Sequence, residues 1–392
     1  MRSYSSFLLG ACLLLGVAAG QVRAQTELPA EDCGDPVRPA TLVTATAAPS
    51  ITAADALYVL RTAVALVTCD LCTCDLDDSG VVTAGDALRT LKKAVGQDLE
   101  LLCRLCGIPE GPILFTSNRT GKNQIWAVQT DGSGLVHVSQ NAGTVGVNDE
   151  QANWSPDGER IVFGSDRTGD YEVFVMDADG ANQTNLSNDP LDFNGQSCFS
   201  YDGSSIAYTD SDGSPTAEIF VMNSNGTNQS KLFAGPGYVD GDPEWSPDGA
   251  RIVFETNRNV LDMHNQYDIY LMDADGSNQV NLTPGIAATD SDPAWSPDGT
   301  RIVFNSDRDG DAELYVVNAN GSGLVQLTDN TAGDVHASFS PDGAFVSFVS
   351  DRDAANGFDV YIMRSTGGRA WRVHKDAARE FWTAWRPALL VE

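Results

Sequence analysis

One short segment of the sequence carries oxygen-bearing side chains at the spacing of a calcium-binding loop. It reads Asp-Leu-Asp-Asp-Ser-Gly-Val-Val-Thr-Ala-Gly-Asp over residues 75–86. Calcium takes about six to eight oxygens, which such a loop supplies from alternate side chains, one main-chain carbonyl and a final acid, with glycine at the sharp turn. We therefore predict one calcium ion, held by Asp75, Asp77, Ser79, the Val81 carbonyl, Thr83 and Asp86. The alternative is an Asp-rich surface turn without a metal.

The predicted calcium loop is the second half of a duplicated loop–helix unit. A Thr-x-x-Asp start, typical of a helix N-terminus, occurs at Thr52 and again 31 residues later at Thr83, and helical apolar spacing follows each. In the first copy the ligand positions hold threonine or alanine, and Pro49 replaces the loop glycine. That copy has lost its ligands, so we expect a single calcium site.

This duplicated unit resembles a type I dockerin over residues 40–98. The resemblance implies folding that depends on calcium and a cohesin as protein partner. It also implies that cohesin is contacted from the last loop positions and the following helix. The positions carried over are Ala84, Gly85, Leu91 and Lys92 in the second copy, with Ala53, Ala54, Leu60 and Arg61 in the first.

Most of the remaining sequence is a repeat built around an aromatic residue followed by Ser-Pro-Asp-Gly. The aromatic positions are Trp154, Phe199, Trp245, Trp295, Phe339 and the truncated copy at Trp385, which lie 45, 46, 50, 44 and 46 residues apart. A period of this length with four short β-runs per unit predicts the blades of a β-propeller. In the fifth unit we expect an inner strand beginning at Ala294–Trp295 and further strands over 301–304, 313–317 and 324–327.

The first and last units are incomplete in complementary ways. The first unit, which starts at Ile113, lacks an aromatic strand, and Trp385 lacks a following unit. We therefore predict a mainly β fold with six blades, closed by a C-terminal strand and preceded by the small α-helical dockerin-like module. The aromatic-Ser-Pro-Asp-Gly, Ser-Asp-Arg and Asp-x-Asp-Gly motifs resemble the TolB-type β-propeller repeat over about 275 residues. That resemblance implies a binding scaffold.

Alignment of the repeats with one another predicts an arginine–carboxylate pair in five blades. Five residues before each aromatic stands an acid, except in the third blade, which has Asn194. The same blade has Asp212 where the others have an arginine, so two carboxylates there would repel. We interpret the pairs as braces between loops on one face of the ring. They are Asp149 with Arg167, Asp240 with Arg258, Asp290 with Arg308, Asp334 with Arg352, and Glu380 with Arg119.

A second position varies between blades and no arginine follows its variation. Three residues before the aromatic stand Gln151, Gln196, Asp242, Asp292, His336 and Trp382. We take Asp242, Asp292, His336 and Trp382 as the candidate recognition patch around the channel mouth, the alternative being ordinary solvated loop tips. The insertion over 259–267, which carries His264, is expected to wall the same mouth.

Catalysis is the competing hypothesis for this mouth. A carbohydrate-active or peptidase-like propeller using a metal would need His336, His264 and an unpaired aspartate close together. The other two histidines, His137 and His374, fall in predicted outer strands. The sequence has no GxSxG elbow, and no Ser–His–Asp ordering or Cys–His pair in it is persuasive as a catalytic site. We therefore expect a non-catalytic binding protein, with a structural spacer as a third possibility.

The N-terminus has the features of a secretory signal peptide. Arg2 precedes an apolar run over 7–19, and Val22-Arg-Ala24 offers a cleavage site before Gln25. A lipoprotein box ending at Cys12 is the alternative. An exported location (periplasm, cell surface or outside the cell) favours disulfides over zinc for the six cysteines between 33 and 106. Cys198 stands alone and is expected to be a small buried residue.

The charge balance excludes some classes of partner. The formal net charge of the 392 residues is −30, which argues against nucleic acid and anionic lipid as ligands. No later segment is long and apolar enough to predict a membrane span. The remaining partners are a protein, a glycan or a cationic ligand. The predicted organisation is signal peptide 1–24, linker 25–39, dockerin-like module 40–106, linker 107–111 and propeller 112–388.

Overall fold

The computed structural model describes most of the chain beyond residue 107. The described residues are 108–109 and 111–387, apart from 141–145, 190–193, 212–215, 233–236, 259–265, 286–287, 354–356 and 376–377. The predicted signal peptide, calcium loop, dockerin-like module and six N-terminal cysteines lie outside them. His264 and Asp212 also lie outside them, as does the side chain of Asn194. Statements on those residues stay predictions.

Within the described residues, twenty-four strands form six antiparallel four-stranded sheets, which are the six predicted blades. The first blade contains β1 (Pro112–Ser117), β2 (Gln124–Gln129), β3 (Val136–His137) and β24 (Glu380–Trp385). The second contains β4 (Asp149–Trp154), β5 (Arg160–Ser165), β6 (Glu172–Asp177) and β7 (Thr184–Asn185). The third contains β8 (Asn194–Phe199), β9 (Ser205–Asp210), β10 (Glu218–Asn223) and β11 (Ser230–Lys231).

The last three blades repeat the same pattern. The fourth contains β12 (Asp240–Trp245), β13 (Arg251–Thr256), β14 (Asp268–Asp273) and β15 (Val280–Asn281). The fifth contains β16 (Asp290–Trp295), β17 (Arg301–Ser306), β18 (Glu313–Asn318) and β19 (Val325–Gln326). The sixth contains β20 (Asp334–Phe339), β21 (Phe345–Ser350), β22 (Asp359–Arg364) and β23 (Ala370–His374). Among the described residues no helix is long and apolar enough to cross a membrane.

The C-terminal strand closes the ring. Strand β24 pairs antiparallel with β1, with Trp385 opposite Ile113 and Glu380 opposite Ser117. The last strand of the chain is therefore the inner strand of the first blade. This closure removes the inner edge that an open first blade would expose.

The predicted start of the inner strands was wrong. In the fifth blade the inner strand runs Asp290–Trp295, so the aromatic residue ends the strand instead of beginning it. The Ser-Pro-Asp-Gly turn follows, in which the Ser296 hydroxyl donates to Asp298 at 2.6 Å and accepts from the Arg301 amide at 2.9 Å. The first half of this strand was missed because Pro293 and a bulge between Ser291 and Ala294 interrupt the alternation of apolar and polar residues that marks a strand.

Sheet-on-sheet packing forms the core between blades. The second strand of each blade is buried on both faces, because a neighbouring blade covers each side. Its sequence is accordingly a continuous apolar run, such as Ile302-Val-Phe304, whose three side chains are all fully buried. Burial of each such side chain contributes about 1.5–3 kcal/mol.

Arginines hold neighbouring blades together, three of them from the start of a second strand and one, Arg386, from just after β24. In four junctions a guanidinium lies 5.1–5.3 Å from the ring of the next blade's aromatic residue. The pairs are Arg160 with Phe199, Arg251 with Trp295, Arg301 with Phe339, and Arg386 with Trp154. The sequence analysis missed these stacks, although the arginine recurs six residues after the aromatic in three repeats.

Candidate functional site

The structure brings together the arginine and carboxylate of all five predicted pairs. In each pair the arginine Nη2 donates to one carboxylate oxygen at 2.5–2.7 Å. The pairs are Arg119–Glu380, Arg167–Asp149, Arg258–Asp240, Arg308–Asp290 and Arg352–Asp334. Each joins the first residue of an inner strand to the loop that follows the second strand of the same blade.

These pairs are buried and packed, as braces would be. In the fifth blade the side chain of Asp290 is 1 % exposed and that of Arg308 is 11 % exposed. The Arg308 Nε also donates to the Ser306 hydroxyl at 2.8 Å, and its guanidinium lies over the rings of Phe304 and Tyr315. The planar guanidinium therefore stacks and hydrogen-bonds at once, which a lysine could not do.

The six residues three positions before each aromatic share an unusual backbone. Each has a positive φ between 42° and 55°, although none is glycine. They are Gln151, Gln196, Asp242, Asp292, His336 and Trp382, and we call them the channel ring. Each falls at a β-bulge where the inner strand shifts register against the second strand. A bulge redirects a side chain, and left-handed backbone costs a non-glycine residue about 1–2 kcal/mol.

The channel ring lines a central cavity of about 90 Å³, together with the residues that follow it in the inner strands. The predicted patch residues Asp242, Asp292, His336 and Trp382 all line this cavity. The alternative interpretation as solvated loop tips was wrong, because each lies inside an inner strand and is partly buried. The bulge places them in the channel wall.

Side-chain oxygens link neighbouring blades around the channel. The Gln151 side chain accepts a hydrogen bond from the Gln196 amide at 3.2 Å, and the Gln196 side chain accepts one from the Asp242 amide at 3.3 Å. Farther round, Glu255 accepts from the Asp292 amide at 3.2 Å. The sequence analysis did not select Glu255. A comparison of the repeats could have found it, because the fifth residue of the second strand is glutamate only in the fourth blade and is threonine, glycine, asparagine or valine in the others.

Carboxyl groups concentrate on one side of the channel, in the fourth and fifth blades. Burial, followed by the negative charges of Glu255 and Asp292, raises the pKa of Asp242 well above its usual range. Burial and the charge of Asp292 raise the pKa of Glu255 to about 8. Burial likewise raises the pKa of Glu244 to about 8, although this carboxylate accepts a hydrogen bond from the Trp295 amide at 2.6 Å. In the absence of a cation, protonation of Glu244 and Glu255 is therefore favoured at neutral pH.

An aromatic pair lies beside the carboxyl groups. The rings of His336 and Trp382 are 4.8 Å apart, and His336 Nε2 is 3.8 Å from Asp292 Oδ1. Burial lowers the pKa of His336, so the imidazole is neutral at pH 7 and does not balance the acids. The Trp382 Nε1 atom is buried and has no hydrogen-bond partner among the described protein atoms.

The remaining candidates for chemistry are arranged less favourably. Within the described residues no three His, Cys, Asp or Glu side chains stand close enough to hold a metal ion. His137 and His374 lie in the outer strands β3 and β23. Cys198 is buried, its thiol donates to the Pro243 carbonyl at 3.0 Å, and burial raises its pKa, so it is a neutral thiol.

A second set of acids, four of them buried and Asp268 partly buried, escaped the sequence analysis. Five blades begin the third strand with an acid, namely Glu172, Glu218, Asp268, Glu313 and Asp359. Burial and the neighbouring Asp334 of the next blade raise the pKa of Glu313 to about 7. None of the five lines the channel, and three of them bond to the fourth strand of their own blade, so we assign them to packing within the blades.

Comparison with known proteins identifies the type of propeller. Residues 199–324 and 289–388 match the PD40 family, described as the TolB beta propeller domain. No curated protein matches the chain. TolB from Acinetobacter baumannii is 20 % identical with a TM-score of 0.60, over 78 % of this chain and 71 % of that chain. A putative TolB from Agrobacterium tumefaciens is 24 % identical with a TM-score of 0.53, over 71 % of this chain and all of its own.

More distant structures share the same architecture. A chain of the nidogen/laminin complex is 12 % identical with a TM-score of 0.55, over 70 % of this chain and 98 % of that chain. Identities this low show the fold alone. The six blades, the C-terminal closure and the PD40 repeats together make residues 112–385 a six-bladed β-propeller of the TolB type.

Proposed function

We propose that the protein is an exported, non-catalytic binding protein whose propeller channel receives a cationic group of a protein partner. The observation that carries this proposal is the channel ring, six strained residues directed into one small cavity. Strained backbone of this kind concentrates at functional sites. The five arginine pairs brace the loops of the propeller, whereas the channel ring lines the cavity.

The chemistry of the cavity favours a cation. Asp242, Asp292, Glu244 and Glu255 lie in two adjacent blades, and none of them has a salt bridge to a described lysine or arginine. A bound cation would offset their mutual repulsion and allow them to lose their protons. The face of Trp382 beside them adds a cation–π surface.

The size of the cavity favours the tip of a side chain. Its volume of about 90 Å³ is smaller than the roughly 150 Å³ cavity that admits benzene. A lysine ammonium with its last methylene groups fits this space better than a sugar ring. The partner is therefore a protein that presents a basic side chain.

In this proposal the dockerin-like module at 40–106 tethers the propeller to a surface or a partner chain. Its support is the spacing of Asp75, Asp77, Ser79 and Asp86 in one loop. Titration of the full-length protein with calcium by calorimetry is expected to give one site, which Asp77→Ala removes. Binding of two ions, or binding unchanged in Asp77→Ala, would contradict this part.

The channel is tested with N-acetyl-lysine methylamide as the probe, and with the norleucine analogue as an uncharged control of similar shape. The indole resonance of Trp382 in an NMR titration reports binding. We expect the lysine probe alone to shift that resonance. The double variant Asp242→Asn, Asp292→Asn should weaken this binding at least tenfold.

A matched double variant controls for net charge. Asp170→Asn with Asp329→Asn makes the same charge change at exposed residues outside the channel, and binding should stay as in the native protein. Equal shifts from both probes, or equal weakening by the two double variants, would refute the channel as a cation site.

A further inference from the structure

Hydrogen bonds between neighbouring blades hold the backbone of the channel ring. We call the backbone N–H groups of the channel-ring residues the ring amides. The bulge at each of these residues takes the ring amide out of the ladder of backbone bonds within the blade. Four ring amides instead donate to a side-chain oxygen of the preceding blade at 3.2–3.3 Å. They are the amides of Gln196, Asp242, Asp292 and His336.

In the second and third blades the acceptor is the channel-ring residue itself. Gln151 Oε1 accepts from the amide of Gln196 at 3.2 Å, and Gln196 Oε1 accepts from the amide of Asp242 at 3.3 Å. The fifth residue of the second strand does not serve there. Gly164 has no side chain, and the Thr209 hydroxyl has no hydrogen-bond partner among the described protein atoms. Each glutamine oxygen is therefore used within the protein.

In the fourth and fifth blades the fifth residue of the second strand is the acceptor. Glu255 Oε2 accepts from the amide of Asp292 at 3.2 Å, and Asn305 Oδ1 accepts from the amide of His336 at 3.3 Å. The Asn305 side chain also donates to the Ser291 hydroxyl at 2.7 Å, which fixes its orientation. Neither Glu255 nor Asn305 lines the cavity. Both act on the channel through the backbone of the next blade.

Side-chain length explains the change of acceptor. Aspartate is one carbon shorter than glutamine, which is about 1.5 Å. An oxygen drawn back by that length from a bond of 3.2–3.3 Å would lie beyond hydrogen-bonding distance of the next ring amide. Asp242 and Asp292 stand in the two blades whose second strands carry Glu255 and Asn305. The short residue in the channel ring and the long acceptor in the second strand thus occur together.

The carboxyl groups of Asp242 and Asp292 are left for the cavity, which both residues line. Among the described residues, neither carboxyl group accepts from a ring amide. The two are hydrogen-bond neighbours of each other. Asp292 has further contacts with the Ser291 hydroxyl at 3.4 Å and with His336 Nε2 at 3.8 Å.

We propose that Glu255 and Asn305 are positioning residues that make the channel selective for cations. Each supplies the bond that fixes the next residue of the channel ring, and so releases the carboxyl group of Asp242 or Asp292 to bind the ligand. The ligand in this inference rests on the proposed function, whereas the hydrogen bonds can be tested without a ligand.

Hydrogen exchange of single ring amides, measured by NMR on the full-length protein, tests the bonds. Glu255→Ala should lower the protection factor of the Asp292 amide at least fivefold, because its acceptor is lost. Glu255→Gln keeps an acceptor of the same length and should keep the protection within twofold. Asp242→Ala should leave the Asp292 amide protected. By contrast, Gln196→Ala should lower the protection of the Asp242 amide at least fivefold.

Two further amides complete this test. The amide of Gln196 donates to Gln151, which the Glu255 variants leave unchanged, so it should keep its protection. Asn305→Ala repeats the experiment at the next junction and should lower the protection of the His336 amide at least fivefold. This second variant decides the question even if Glu255→Ala fails to fold.

Ligand binding separates positioning from charge. N-acetyl-lysine methylamide is the probe, and the indole resonance of Trp382 reports its binding. Glu255→Ala and Glu255→Gln remove the same carboxyl group, but only the glutamine keeps the bond to the Asp292 amide. We expect the glutamine variant to bind the probe at least fivefold more tightly than the alanine variant.

Different results would overturn the positioning role and the proposed function. Equal binding of the probe by the two Glu255 variants would overturn the positioning role, because Glu255 would then act by its charge alone. The same conclusion would follow if Glu255→Ala left the Asp292 amide protected, or if Asp242→Ala lowered its protection as much. Failure of the native protein to bind the probe would instead refute the cation site, and the selectivity with it, while the expected protection pattern would still establish the hydrogen bonds.

Discussion

Removal of one arginine from a buried pair is the sharpest test of the braces. Arg308→Ala would delete the hydrogen bond to Asp290 at 2.7 Å, the bond to the Ser306 hydroxyl and the stacking on Phe304 and Tyr315. The Asp290 side chain is 1 % exposed, so its charge would remain buried without its partner.

The structure sets the expected size of this effect. Removal of one member of a buried pair typically costs about 3–5 kcal/mol, much of it the penalty for the charge left behind. The double variant Arg308→Ala, Asp290→Asn removes that charge and should cost less than the single variants Arg308→Ala and Asp290→Asn added together. The coupling energy between the two sites should be roughly 1–3 kcal/mol.

Urea unfolding followed by tryptophan fluorescence measures these free energies. Lys122→Ala, at an exposed residue, serves as the control and should stay within about 0.5 kcal/mol of the native protein. A cost below about 1 kcal/mol for Arg308→Ala would show that the pair is not a brace. Strict additivity in the double variant would refute the pairwise reasoning.

Three further predictions follow from single positions. Gly180→Ala should be clearly more destabilising than Gly121→Ala in thermal unfolding, because a Cβ at Gly180 would lie 2.0 Å from the Val138 carbonyl, whereas nothing lies within 4 Å at Gly121; equal costs would contradict this. Ser205→Arg should stabilise the junction of the third and fourth blades by about 0.5–1 kcal/mol, since arginines at this position elsewhere stack on the next aromatic; no gain in unfolding free energy would count against it. Glu244→Gln should be more stable than the native protein at pH 9 but not at pH 5, since a raised pKa makes the native acid favour folding below 4.5 and lose that contribution as the pH rises through about 8; the same difference at both pH values would show that folding does not raise the pKa of Glu244.

Much of the architecture could be predicted because each blade repeats the same sequence pattern. The regular spacing of the six aromatic residues gives the number of blades, and the incomplete first and last units predict the closure by β24. Comparison among copies also predicted which arginine lies beside which acid. Such pairs are visible in sequence because both members change together, as at Asn194 and Asp212.

The channel could be predicted only in part. The variable position three residues before each aromatic identified the residues of the channel ring. Nothing in the sequence predicted their positive φ. A left-handed residue at a bulge leaves no periodic signal, and Pro293 conceals the strand around Asp292. Glu255 belongs to an apolar second strand, so its approach to Asp292 depends on how two blades pack. Sequence spacing within one repeat contains no information on that contact.

Photo-crosslinking from inside the channel tests the central claim most directly. A benzoylphenylalanine at Trp382 keeps an aromatic side chain in the channel, and the same residue at Tyr201, which is 53 % exposed outside the channel lining, is the control. We predict a protein adduct from position 382 but not from position 201. The adduct should map next to a lysine or arginine of the partner, and the double variant Asp242→Asn, Asp292→Asn should abolish it. Adducts of equal yield from position 201, or none from position 382 while the partner stays bound, would contradict it.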